Sequence, residues 1–291
     1  AAVRAGATIN LESRGECDRA LRIGDRLGLT PQLAVRVNPD FDLKGSGMRM
    51  GGGARPFGVD SDQAATLVTD LIAAGADWRG FHIFAGSQAL DADAIIETQT
   101  ATVALAGALA DAIGSSPPLV NIGGGLGVPY FPADRPVDIV RIGAALSSTL
   151  AARADALQGS RFATELGRWL VADSGVYLTR IVDRKVSHGE LFLVVDGGLH
   201  HQLAASGNFG TVIRRNYPIA IANRFGVAGD EVASVVGCLC TPLDRLGDQV
   251  LLPRAGVGDL VALFQAGAYG ATASPAAFLG HQPAGEILIG Q

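Results

Sequence analysis

In the first part of this chain, short apolar runs alternate with longer amphipathic stretches, and every short run stops on polar or glycine residues. The runs cover residues 8–11, 33–37, 80–84, 119–122 and 162–164. The stretches between them, 15–27, 61–76, 91–113 and 137–156, are rich in Ala and Leu, with apolar residues spaced for one helix face. Strand, helix, strand, helix predicts parallel βα units. The strand ends read Glu12-Ser13, Asn38-Pro39-Asp40, Ala85-Gly86-Ser87-Gln88, Gly123-Gly124-Gly125 and Glu165-Leu166-Gly167-Arg168. A doubly wound sheet gathers its ligand-binding residues at one switch point, whereas a (β/α)₈ barrel carries them on all its strand ends. Polar ends on every run therefore favour an α/β barrel. A closed barrel takes eight units, so the pattern predicts part of one.

The character changes after Val171. Short runs at 175–181, 191–195, 232–236, 249–252, 260–263 and 286–289 follow one another with turn residues between them and no long helix. This predicts an all-β domain, a sandwich or Greek-key barrel. The expected division is residues 1–171 for the βα units and 172–291 for the β domain.

Composition narrows the function classes. Hydrophobic residues make up 48% and charged residues 18%, enough apolar material for a large core. The net charge is -5, and no basic run suggests nucleic acid or a membrane surface. No apolar stretch reaches the ~18 residues of a membrane span, and the start has no signal-peptide pattern. The opening segment reads as a helix end without an initiator Met, which is expected of a truncated chain. The cysteines, Cys17, Cys238 and Cys240, are too few for a disulfide framework, so a reducing, cytoplasmic setting is expected. Cys238 and Cys240 have no second ligand pair nearby in sequence, and no metal site is expected.

Five motifs can carry chemistry, and each has a plain alternative. Asn121-Ile-Gly-Gly-Gly-Leu-Gly127 lets backbone N–H groups approach an anion, phosphate above all, or is a tight turn. Glu165-Leu-Gly-Arg168 pairs an acid with a base across one ligand, or forms a surface ion pair. In Gly80-Phe-His-Ile-Phe-Ala-Gly-Ser-Gln88, His82 and Phe84 share a strand face and the Ser87 hydroxyl can reach a phosphate; otherwise His82 is a core histidine. Gly237-Cys-Leu-Cys-Thr-Pro-Leu-Asp244 reads as buried small residues and a turn aspartate when taken alone. The Tyr269 phenol in Gln265-Ala-Gly-Ala-Tyr-Gly270 can donate to a phosphate or pack at a strand end.

The order of these motifs, from INLES through RVNPD, HIFAGSQ, NIGGG, ELGR, VDGG and CLCTPLD to GAY, resembles the fold-type III pyridoxal-phosphate (PLP) decarboxylases. That family includes the diaminopimelate, ornithine and arginine decarboxylases. The runs GSGMRMGGG and CTPLDRLG are most similar to a subgroup linked to exosortase systems and carrier-bound substrates. The resemblance implies an alanine-racemase-like barrel with a C-terminal β domain, PLP as cofactor, and carboxy-lyase activity on an amino acid, free or carrier-bound. It implies that Gly123, Gly124, Gly125 and Arg168 hold the PLP phosphate, with Ser87 and Tyr269 assisting, and that Glu165 bonds the pyridine nitrogen. A protonated ring is a strong electron sink, which favours decarboxylation over racemisation. It implies that Cys240 reprotonates the carbanion carbon from a partner subunit, hence a homodimer.

Three positions depart from the family pattern. Phe84 stands where a ring-stacking histidine is usual, with His82 two residues earlier; a phenyl ring still stacks but handles no proton. Thr241 stands where an acidic residue binds the distal amine of the substrate, so diamino acids become poor candidates unless Asp244 compensates. The Schiff-base lysine, found in the family on the first barrel strand, has no counterpart: the two lysines are Lys44, in a Gly-rich loop, and Lys185, between β runs. The expectation is a piece of an active decarboxylase that is itself inactive. A non-catalytic homologue acting by dimerisation and an amino-acid racemase are the alternatives.

Overall fold

The computed structural model describes residues 1–207 and 215–290. They fall into two compact units, residues 1–128 with 135–166, and residues 129–134 with 167 onward. The division comes shortly before the change of sequence character at Val171.

The first unit is wound from βα steps. Strand β1 (Ile9–Leu11) leads into α1 (Arg14–Leu27). Ser13 starts this helix by accepting the Glu16 N–H at 3.2 Å, and Gly28, at φ +63°, ends it in the left-handed region. Then come β2 (Gln32–Asn38), β3 (Met48–Arg49), β4 (Val59–Asp60), α2 (Ser61–Ala73) and β5 (Asp77–Ile83). The unit continues through β6 (Gly86–Ser87), α3 (Ala92–Ile113), β7 (Leu119–Gly124), α4 (Ile139–Ala151) and β8 (Arg161–Glu165).

The main sheet is parallel and runs β1-β2-β5-β7-β8, with β4 beside β2. Along the path β1, β2, β5, β7 and β8 the strands advance in one direction, with the short β4 joined to β2 off that path. Right-handed crossovers repeated in one direction place the helices on one face. That face is apolar: Leu33, Val35 and Val37 of β2, Phe81 and Ile83 of β5, and Val120 and Ile122 of β7 form one core with Leu67, Leu71 and Val103 from the helices. The period of two sends the intervening residues to the other face. There Arg36, His82, Asn121 and Ala163 stand side by side in register across β2, β5, β7 and β8.

The second unit begins with the short α5 (Gly167–Val171), which is followed by β9 (Tyr177–Ser187), β10 (Glu190–Val195), β11 (Ile219–Ile221), β12 (Glu231–Val236), β13 (Arg245–Leu252) and β14 (Leu260–Leu263). They form one six-stranded sheet, β11-β14-β9-β10-β12-β13, antiparallel except for the parallel β10–β12 pair. The two end strands are bridged by side chain: Asn216, just before β11, donates to the Asp248 carbonyl at 2.7 Å and accepts the Asp248 N–H at 2.8 Å. The sheet therefore curls on itself around Ile181, Leu193, Val235, Leu246 and Leu263, rather than stacking two sheets face to face.

Two expectations are corrected. Residues 286–289 form no strand; Ile287, Leu288 and Ile289 are largely exposed. An apolar run becomes a strand only when a ladder partner and a packed face are supplied, and none of the described strands pairs with it. Lys185 lies not between β runs but inside β9, opposite Phe192 of β10. The described helices include none that is long and apolar enough to cross a membrane.

Candidate functional site

The polar face of the parallel sheet collects its chemistry at the C-terminal ends of β5, β7 and β8. Glu165 is the last residue of β8 and its side chain is half exposed. Two neighbouring strands hold its carboxylate: Asn121 Nδ2 donates to Oε1 at 2.9 Å, and His82 Nε2 lies 3.2 Å from Oε2. His82 is buried, and its Nδ1 has no hydrogen-bond partner among the described residues. Asn121 also accepts the Gly123 N–H at 2.9 Å, so one side chain orients both the carboxylate and the glycine turn.

The glycines are demanded by close backbone approach. A Cβ on Gly124 would overlap the Glu165 carbonyl oxygen of the adjacent strand, and one on Gly123, at φ +71°, would meet the Ile83 carbonyl and the Phe84 ring at 2.7 Å. Phe84 follows β5 directly, with its ring against Gly123. The Gly-Ser-Gln turn is stitched to the same loop: Ala89 N–H donates to the Gly125 carbonyl at 2.9 Å, and the Gln88 amide bonds both backbone groups of Val128. Ser87, in β6, pairs with Met48 of β3. His82, Phe84, Gly123, Gly124, Gly125 and Glu165 thus occupy one end of the parallel sheet, and Ser87 follows β5 in the two-stranded β3–β6 sheet.

Sequence reasoning missed three members of this constellation, Asn121, Arg36 and Glu12. Asn121 was legible as part of the glycine motif, but its hold on Glu165 spans 44 positions. Arg36 and Glu12 form a part-buried ion pair at 2.6 Å on the same polar face, and Glu12 also accepts the Gly58 N–H at 3.1 Å. The strand-end position of Glu12 was the available signal.

Arg168 and Tyr269 belong to the second unit. Arg168, in α5, donates to the Tyr130 hydroxyl at 2.8 Å, and its guanidinium lies over the Tyr269 ring at 4.4 Å. Its Nε is buried without a partner among the described residues. Tyr130 stacks on Tyr217, and burial pushes the Tyr217 phenol up. Cys240 and Thr241 lie in the turn between β12 and β13, with Cys240 exposed. Asp244 has a different role from the one its position suggests. It is buried and accepts the backbone N–H groups of Leu199 at 2.6 Å and Leu239 at 2.8 Å. Burial pushes its carboxyl above the usual range, against the opposing pull of these two bonds. A carboxylate committed to two buried amides is a turn anchor, so it does not supply the missing counter-charge for a substrate amine. Lys44 pairs with Glu97 of α3 at 2.8 Å, and that carboxylate raises its pKa, which makes it an exposed charged group rather than a nucleophile.

A profile of the pyridoxal-dependent decarboxylases, described by their C-terminal sheet domain, matches residues 59–267. The L-glutamyl-[BtrI acyl-carrier protein] decarboxylase of Niallia circulans is 38% identical over 91% of this chain and 63% of its own length. The diaminopimelate decarboxylase of Archaeoglobus fulgidus is 30% identical over 99% of this chain and 67% of its own. The crystal structure of Helicobacter pylori diaminopimelate decarboxylase complexed with L-lysine superposes with a TM-score of 0.76 at 25% identity, covering 91% of this chain and 64% of that one. The chain therefore spans about two thirds of the length of the curated relatives it matches.

Proposed function

The chain belongs to the pyridoxal-dependent decarboxylase family, and from that premise we propose that it supplies the ring-orienting and proton-handling parts of a PLP-dependent amino-acid carboxy-lyase. The observation that carries this reading is the Glu165 carboxylate, half exposed at a strand end and fixed by donors from the two adjacent structural positions, His82 and Asn121. The residues present fit the cofactor. An oriented carboxylate accepts a bond from a protonated ring nitrogen, and the glycine loop leaves no Cβ between its N–H groups and an anion. Bound PLP supplies an electron sink for the pair left when CO₂ departs. Glu165 keeps the ring nitrogen protonated, His82 and Asn121 hold that carboxylate, and Phe84 offers a ring face for stacking. Gly123, Gly124, Gly125 and Ser87 address the phosphate. The resemblance implies phosphate-binding roles for Arg168 and Tyr269 and, for Cys240, that of the thiol that returns the proton. We also propose a cytoplasmic homodimer: the resemblance supports the dimer, and the few cysteines support a reducing compartment.

Thr241 and the buried Asp244 point away from diamino acids. A substrate without a distal ammonium fits, and a carrier-tethered glutamyl group, the substrate named for the Niallia relative, is the first candidate. The test is CO₂ release by the full-length protein from free amino acids, diaminopimelate and carrier-bound glutamate. Turnover of the carrier-bound group is expected. Efficient release from diaminopimelate would sink the substrate reading, and racemisation without CO₂ would sink the reaction.

A further inference from the structure

Three side chains with no part in this chemistry meet inside the second unit. His200 follows β10, Cys238 lies in the turn after β12, and His281 lies in the segment beyond β14. One ligand-capable atom from each lies within 4.8 Å of the other two. Cys238 Sγ and His281 Nδ1 are 3.9 Å apart.

His200 makes the group unusual. It is 0% exposed, and neither ring nitrogen has a hydrogen-bond partner among the described residues. A buried imidazole normally satisfies both its donor and its acceptor. The adjacent His201 does so, with Nδ1 2.9 Å from the Tyr177 hydroxyl and Nε2 2.8 Å from the Gln282 carbonyl. The two rings lie 3.8 Å apart, so the same surroundings satisfy one histidine and leave the other open toward a thiol and a third imidazole.

We propose that His200, Cys238 and His281 bind a zinc ion, with a fourth position left to water or another oxygen donor. A thiolate with two imidazoles selects a borderline-soft divalent metal over magnesium or calcium. Zinc bonded to sulfur at about 2.3 Å and to nitrogen at about 2.0–2.1 Å in a tetrahedron sets its ligand atoms roughly 3.5 Å apart. The 3.9 Å between Cys238 and His281 is close to that edge, and small side-chain rotations complete it. On binding, the Cys238 S–H bond breaks, its electron pair goes to the metal, and the proton leaves to solvent. The ion would clamp three segments that are far apart in sequence. One of them is the turn carrying Cys240, two residues beyond Cys238, so the site positions that turn.

The full-length protein, stripped with chelator and without PLP, is titrated with Co²⁺ as a spectroscopic probe and then with Zn²⁺. The expected result is one equivalent per chain, a thiolate-to-cobalt charge-transfer band in the near ultraviolet, and its loss when Zn²⁺ displaces the probe. Cys238→Ser abolishes the band. His281→Ala, at a partly exposed position, weakens Co²⁺ binding about 100-fold or more, because even outer-shell partners are worth ~10–100-fold. Cys240→Ser keeps the band. His200→Gln, a buried change, is read alongside circular dichroism to separate lost binding from lost fold. Absence of the band in the unsubstituted protein overturns the proposal, as does a band that survives Cys238→Ser or disappears with Cys240→Ser. None of these readouts depends on decarboxylation.

Discussion

In the first unit, His82, Asn121 and Glu165 sit on three neighbouring strands of one parallel sheet, while in the second, Cys238, Cys240 and Thr241 sit in a turn between two antiparallel strands. The sheet positions its groups by register: the 4.7–4.9 Å spacing of strands brings strand-end side chains within hydrogen-bond reach with no further support. The turn has no such ruler. It is held by a buried carboxylate, Asp244, that gathers the backbone of two separate segments, and Gly198 and Gly237 are small because that carboxylate fills the space a Cβ would need. A register-built site is most sensitive where strands touch, and this turn is most sensitive at the buried carboxylate that joins its segments.

The largest effect should come from removing the charge the sheet positions. Glu165→Gln in the full-length protein is expected to lower kcat for CO₂ release by ~10²–10⁴-fold, the usual contribution of a proton-handling group, with little change in unfolding temperature. A wild-type rate would break the claim that the register-built cluster carries the chemistry. Next, Gly124→Ala drives a methyl into the Glu165 carbonyl and should destabilise the first unit by about 1–3 kcal/mol, read from its urea midpoint. A neutral result would mean that β7 and β8 can separate there without loss.

Asp244→Ala tests the other side of the comparison. It strands two buried N–H groups and should cost about 1.5–3 kcal/mol of second-unit stability while leaving the urea midpoint of the first unit unmoved. Loss of both units together would show that the anchor serves more than its turn.

The smallest effect is in the pH dependence of the second unit. Arg184 lowers the pKa of Glu231 by a side-chain hydrogen bond, and the Gly256 N–H and Asn223 lower that of Asp259. Folded, these carboxylates hold protons less tightly than in the unfolded chain. Their stabilisation is present above the unfolded carboxylate range near ~4 and is lost as pH falls through the folded values. Thermal unfolding below about pH 4 should therefore show a slope that Glu231→Gln reduces. An unchanged slope would assign the acid sensitivity to other groups.

The βα units were legible because a parallel sheet covered by helices on one face writes its period directly into the chain. Apolar residues at every second strand position and every third or fourth helix position leave few alternatives. The strand-end residues were legible for the same reason, since polar groups cluster where the strands stop. The curled sheet of the second unit was only partly so. Its strands were visible, but β11 is too short to stand out, and residues 286–289 look like a strand yet find no edge to join.

By itself, then, the sequence determined the order of the βα units, the change to a β domain and the identity of the strand-end groups, because these follow from local periodicity and from motif order. The tertiary structure decided what each polar group is used for. It spent Asp244 on two buried amides, gave Glu165 its two holders, tied Lys44 to Glu97, and brought His200 and His281 to Cys238 where the C-x-C spacing alone had offered no second ligand pair. The physical reason is the range of the interaction. Periodicity is set within a turn or a strand, whereas a buried polar group must find its partner wherever the folded chain happens to supply one.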